Sequence, residues 1–266
     1  MYLYHYTSLE AAINIIGNGL CFWGFRYDCM NDPTDFIFAR DKILPSLLQN
    51  MSNEEQNEAT NFYPYILSFC EESDFDVMWR LYNAEIAIVI DSQKLPFEKW
   101  DKMTDVGRRI FYNHVRYADN DTIQSEVDYL WSNRSTNFYT TSYDEHMVFV
   151  FPFIKHNAYK IEKEFRLVKF DYDSFYCQYS PKSKDKCEII EGEIPHDVKC
   201  LGSKDGILRL YKEFHLPKDS LVKLILHTYE EEKYKIQEQH LKIWLLQNGF
   251  NLNNISIEKT KAWPVR

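Results

Sequence analysis

Glycine and proline are scarce, at eight and nine of 266 residues. Such a composition argues against a collagen-like or long disordered chain. No stretch approaches the roughly 18 apolar residues of a membrane-spanning helix. The start, Met1-Tyr2-Leu3-Tyr4-His5, has neither the basic nor the apolar region of a secretory signal. The expectation is a cytoplasmic protein without a membrane partner. The cysteines, Cys21, Cys29, Cys70, Cys177, Cys187 and Cys200, include no Cys-x-x-Cys pair, which argues against a zinc ribbon or redox pair. Buried free thiols are the default in a reducing cytosol. There is no Gly-x-Ser-x-Gly elbow, no Gly-x-Gly-x-x-Gly or Walker phosphate cradle and no His-Glu-x-x-His. No metal is expected. A net charge of −9 opposes generic binding to nucleic-acid phosphates, while leaving a local basic groove open.

What the chain does have is aromatic and apolar mass: 16% and 45% of residues. A chain of this length buries roughly 70–75% of its unfolded surface without staples. A single domain over 1–266 is expected, with a surface insertion near the polar stretch 50–61. Residues 2–7 alternate as a strand, with Tyr2, Tyr4 and Tyr6 on one face and Leu3, His5 and Thr7 on the other. Thr7-Ser8-Leu9-Glu10 fits a capping box with Thr7 as the N-cap. Leu9, Ala12, Ile13 and Ile16 then repeat at helical spacing up to Gly17. Further strands are expected over 65–70, 85–91, 161–170 and 221–226 and at 255–257. Helices are expected to about Leu48 and over 74–82, 122–133 and 229–248. Residues 95–113 read as helical, 113–117 as a strand, and 144–155 as helix or strand. The fold class is α+β, a mixed, mostly antiparallel central sheet that forms a cleft, with helices around it.

The residues with the most chemistry are His5 and the group Glu162, Glu164 and Arg166. On a strand over 161–170 these three would share one face, opposite Phe165 and Leu167. Three charges on a central strand need a cleft, because unpaired buried charge is costly. A cleft with His, Thr, Glu and aromatics suits a sugar-bearing nucleotide. His5 could bond ribose hydroxyls, Tyr6 or another ring could stack on a base, and a carboxylate could stabilise positive charge growing on a sugar carbon. Plainer readings stand beside these. A lone strand histidine is more often structural, and Thr7 has a sufficient role as a cap. Glu164 and Arg166 could be a sheet-edge ion pair, and Trp79 and Tyr82 could be core.

The chain resembles a bacterial family named domain of unknown function 2971. The matching elements are Leu3-Tyr4-His5-Tyr6-Thr7-Ser8 and its helix, Asn31-Asp32-Pro33, Ser68-Phe69 with Met78-Trp79-x-x-Tyr82, and Lys155-His156 with Glu162 to Val168. The strand over 221–226 and the Arg266 terminus match less specifically. The chain departs from the pattern at Cys70, where a small polar residue is common, and at Glu85, where a Gly is common. Phe165 stands where Trp is frequent. Tyr4-His5-x-Thr7, with the helix and Gly-Leu strand that follow, is also similar to the opening of ADP-ribosyltransferase-like domains. That resemblance implies NAD as substrate, bound by His5 and Thr7, with Tyr6 beside them as the ring the strand reading offers for stacking. It implies Glu164 as the catalytic carboxylate with His5 orienting NAD, Glu162 as the rival acid, and Arg166 on a phosphate or acceptor. Trp79 and Tyr82 are the candidate stacking rings. The acceptor, whether protein, nucleic acid or small molecule, stays open. A role in phage defence or as a toxin is the expected biology. The alternatives are a non-catalytic nucleotide-sensing or protein-interaction module and a nucleic-acid-processing enzyme.

Overall fold

A computed structural model of the chain describes residues 1–30, 34–48, 63–74, 76–103, 109–134, 146, 148–171, 177–178, 188–189, 197–202 and 208–262. Asn31-Asp32-Pro33, the expected insertion near 50–61 and Arg266 lie outside these residues. The elements run β1 (Tyr2–Thr7), α1 (Leu9–Gly17), β2 (Cys21–Arg26), α2 (Thr34–Leu48), β3 (Tyr63–Cys70), α3 (Asp76–Leu81) and β4 (Ile86–Asp91). Next come α4 (Phe97–Asp101), β5 (Phe111–His114), β6 (Arg116–Ala118), α5 (Ile123–Ser132), β7 (Ile154–His156) and β8 (Glu164–Asp171). Two short strands follow, β9 (Cys177–Gln178) and β10 (Glu188–Ile189). The chain closes with β11 (Lys199–Gly202), β12 (Leu208–His215), β13 (Leu221–Leu226), α6 (Glu231–Gln247) and β14 (Ser256–Lys259).

The architecture is α+β. A ten-stranded sheet runs β11-β12-β2-β3-β1-β4-β13-β14, with β8 and β5 branching from β3. Its pairings are antiparallel except β13 with β14. Apolar residues fill both faces. On one face, Leu3 and the even isoleucines of β4 (Ile86, Ile88 and Ile90) pack with Ile15 and Ile16 of α1 and Leu241 and Leu245 of α6. On the other, Tyr4 and Tyr6 pack with Trp79, Ala87 and Val89. A further cluster joins Ile66, Val168 and Phe170 to Phe36 of α2 and Val127 of α5. Both faces of β4 are therefore buried, which is why Ile86-Ala87-Ile88-Val89-Ile90 is a continuous apolar run. Among the described residues no helix is long and apolar enough to cross a membrane. Cys21 and Cys70 are buried free thiols, while Cys29 is half-buried and Cys200 exposed.

The topology splits the sheet along one edge of β3. The C-terminal end of β3 pairs β1 at Cys70. Its N-terminal part pairs β2 at Tyr65 and Ile66. Between these contacts, Leu67, Ser68 and Phe69 have no strand partner on that edge among the described residues, while β8 covers the opposite edge throughout. β1 leads one wing, with β4 and β13; β2 leads the other, with β12 and β11. The fork between the wings positions the site.

Local chemistry corrects several expectations. The N-cap of α1 is Ser8, whose Oγ accepts from the Ala11 N–H at 3.2 Å. Thr7 is the last residue of β1, so capping does not explain it. Glu162 is not on a strand. Residues Asn157–Glu162 form a 3₁₀ turn, and Lys163 at φ 45° breaks the pleat, so β8 begins at Glu164. Among the described residues of 95–113, the short α4 is the one α-helix and Phe111 already belongs to β5, because the Phe111–His114 segment pairs with Phe165–Val168 of β8. The Phe151–Phe153 turn and β7 occupy the end of the 144–155 segment.

Candidate active site

The fork opens into a cavity of about 670 Å³, within the range of ordinary ligand pockets. His5, Tyr6 and Thr7 of β1, Ser68 and Cys70 of β3, Tyr82 after α3, and Glu162 and Glu164 all line it. The two segments that sequence reasoning paired therefore meet in one space, though not as neighbouring strands. β3 lies between them, and Tyr4, Cys70 and Glu164 form one row across it. Residues in register share a face, so at this row His5 and Glu164 leave opposite faces of the sheet. They reach the same cavity because the fork passes through the sheet. Ala11, Asn14 and Ile15 of α1 line it from one layer, and Met78, Leu81, Lys155 and Tyr159 from the other.

His5 is set by the fork itself. Its Nδ1 lies 3.2 Å from the Ser68 carbonyl oxygen, on the β3 edge that no strand covers. A carbonyl only accepts, so Nδ1 carries the proton and Nε2 is left as the acceptor. Phe22 and Phe69 hold the ring edge-on at 5.2 and 5.7 Å. Burial pushes its pKa down, against the opposing pull of the Ser68 bond. Neutral His5 is thus an acceptor for a hydroxyl. Beside it, the Ser68 Oγ is buried and has no hydrogen-bond partner among the described residues. Native structures rarely leave such a group unpaired, and this one lies in the cavity wall.

The acidic end is a buried four-residue network. Lys155 Nζ donates to Glu162 and to Glu164, each at 2.8 Å. Arg166 Nε donates to Glu164 Oε2 at 2.8 Å, and its Nη1 to the Pro152 carbonyl at 2.8 Å. Burial opposes ionisation of Glu164, but Arg166 and Lys155 outweigh it and hold the carboxyl well below the usual range. For Glu162, burial and the Glu164 carboxylate dominate and push the pKa up to about 7. One acid is therefore fixed as a carboxylate and the other exchanges a proton near neutrality. Functional carboxylate pairs and structural ion networks both split acids in this way.

Two expected ligand contacts fall elsewhere. Arg166 is fully buried and outside the cavity lining, where it neutralises Glu164. Trp79 is also fully buried and outside the lining. It stacks on His227 at 4.7 Å, meets Tyr6 edge-on at 4.8 Å and donates to Asp74. Tyr82 does line the cavity and is 40% exposed, so of the two candidate rings it is the one a ligand can reach. Sequence reasoning missed Lys155 as the bridge between the acids. It also missed Trp23 and Phe25 of β2, Tyr159, and Leu201 and Arg209 of the far wing, all of which line the cavity. The Leu208-x-Leu210-x-Lys212-x-Phe214 alternation was the available signal for β12. Among the described residues, Cys21, Glu213 and His215 bring donor atoms within 4.8 Å of one another, a possible metal set. Glu213 is held there by Lys199 at 2.5 Å, and none of the three lines the cavity.

No family model, no curated protein and no solved structure matches this chain. The likeness to domain of unknown function 2971 and to ADP-ribosyltransferase-like domains therefore rests on the motif residues alone.

The network has a consequence for stability. A carboxyl with a raised native pKa favours the folded state most when protonated. Between the ordinary value of 4.5 and about 7, the native chain holds a proton at Glu162 that the unfolded chain has lost. This group's contribution to stability therefore falls as pH rises through that window. Glu162→Gln, which mimics the protonated acid, is expected to flatten this part of the profile, read by thermal melting from pH 4.5 to 8. An unchanged slope would remove Glu162 as its source.

Proposed function

We propose that this chain is an NAD-consuming enzyme of the ADP-ribosyltransferase type, with NAD bound in the fork of the sheet. The observation that carries the reading is the convergence of His5, Thr7 and Glu164 on one cavity of about 670 Å³. The Nε2 of neutral His5 accepts a hydroxyl of the nicotinamide ribose. Thr7 and the unpartnered Ser68 Oγ supply further polar contacts to that sugar, and Tyr82 is the ring available for stacking. The bond between the ribose carbon and nicotinamide breaks with its electron pair leaving on nicotinamide, so positive charge develops on the sugar. Glu164, ionised throughout, is the charge that opposes it. Water or an acceptor hydroxyl or amine then bonds to the sugar carbon, and Glu162 takes the proton released. Loss of cellular NAD by such chemistry is compatible with a toxin or phage-defence role.

The test is nicotinamide release from NAD, alone and with a cell lysate as the source of acceptors. Wild-type protein is expected to release it. His5→Ala is expected to lower kcat/KM by about 10-fold or more, the scale of one lost hydrogen bond in a desolvated site. No release by wild type under any of these conditions would end the enzymatic reading.

A second reading has its own observation. Glu164 is already neutralised by Arg166 and Lys155, as befits a structural carboxylate. A nucleotide-binding module without turnover would keep such a network, and saturable NAD binding without nicotinamide release would select it.

A further inference from the structure

We propose that the β2–β12 wing is the subsite for the phosphate and base of a phosphorylated nucleoside, with Arg209 as the phosphate's partner. The inference deepens the reading above, on which its choice of NAD as a probe rests. It starts from the cations around the cavity. Lys155 is committed to two carboxylates. Arg166 is committed to Glu164 and lies outside the lining. Arg209 is different. It lines the cavity half-buried, and its side chain makes no hydrogen bond or ion pair among the described residues. In a chain of net charge −9, a half-buried guanidinium would ordinarily find a carboxylate. One left open in a cavity wall is suited to an anion that arrives with the ligand.

Register places flat rings beside it. β12 residues two apart share a face, so Arg209 and Tyr211 lie on the same side. Tyr211 pairs with Phe25 across β2, and Glu213 with Trp23, so Phe25 and Trp23 lie on that side too. The Tyr211 ring is 4.9 Å from Trp23 and 6.1 Å from Phe25. Leu201 of β11, directly opposite Arg209, also lines the cavity. Aromatic faces next to an uncommitted guanidinium bind a base by stacking and a phosphate by paired N–H donors. The sugar-binding and acidic groups belong to the other wing and the stem of the fork. A ligand that satisfies both needs a flat ring, a phosphate and a second sugar, which is a dinucleotide and not a simple sugar.

The experiment is calorimetric titration of wild type, Arg209→Ala and Arg209→Lys with NAD, ADP and adenosine, with melting temperatures as a folding check. Arg209→Ala is expected to bind NAD and ADP about tenfold more weakly or worse, with adenosine unchanged. Arg209→Lys is expected to fall between, because lysine keeps the charge but not the paired donors. Equal NAD and ADP affinity in wild type and Arg209→Ala would overturn the subsite. So would an equal loss for adenosine, a lowered melting temperature without a phosphate-specific loss, or no binding of any ligand by wild type. ADP binding that depends on Arg209, without NAD binding or nicotinamide release, keeps the subsite and ends the NAD-consuming reading. Nicotinamide release by Arg209→Ala with the wild-type KM does the reverse.

Discussion

Glu164→Gln is expected to lower nicotinamide release from NAD by about 10²–10³-fold, the usual worth of one positioned electrostatic group. It is also expected to destabilise the fold by about 3–5 kcal/mol, the range for removing one partner of a buried ion pair. Glu164 is 4% exposed and Arg166 fully buried, so an amide would leave the guanidinium and Lys155 short of negative charge at buried positions. The activity comparison therefore belongs at a temperature where circular dichroism shows the variant folded. Rate loss in folded Glu164→Gln supports the catalytic role. Wild-type rate with lowered stability would make Glu164 a purely structural carboxylate and would leave the catalytic charge to another group.

Trp79→Ala is expected to destabilise by about 3–5 kcal/mol, as large-to-small changes of buried aromatics do. The ring is 1% exposed. It lies between Tyr6 and His227, and its indole N–H holds Asp74 at 3.0 Å. Asp74 in turn accepts from the Thr260 hydroxyl and the Lys261 N–H, so losing the indole also loosens the C-terminal strand end. Tyr82→Ala, in the cavity lining and 40% exposed, is expected to change stability by less than about 1 kcal/mol while weakening ligand binding. Chemical denaturation of the two variants side by side separates the roles. A mild Trp79→Ala would contradict the assignment of that ring to the core.

The contrast between these two rings marks what a sequence can and cannot specify. Trp79 and Tyr82, three apart on the helix expected over 74–82, were equivalent as candidates. Only packing against His227 decides that one is core and the other wall. The strands β1, β4 and β13 were legible because burial on one face writes an alternating apolar pattern and burial on both writes a continuous one. The 1–266 chain also folds as the α+β class its patterns suggest, with a mostly antiparallel sheet. β12 was missed because Arg209, Lys212 and Glu213 break its apolar reading; Lys212 is buried all the same, held by the Phe170 carbonyl and Asp197. Glu162 was assigned to the right group for the wrong reason. It reaches Glu164 through Lys155 and a 3₁₀ turn, and a left-handed lysine is not something local composition announces. The fork itself was out of reach of any local pattern, since it arises from two strands sharing one edge of a third.

That fork is the central physical claim, and a structure determined with NAD bound tests it most directly. The expected density lies between β1 and β2 along the open edge at Ser68, with the nicotinamide ribose at His5 and Glu164 and the phosphates toward Arg209. NAD seated elsewhere on the molecule, or a fork that stays empty at saturating NAD, would contradict it.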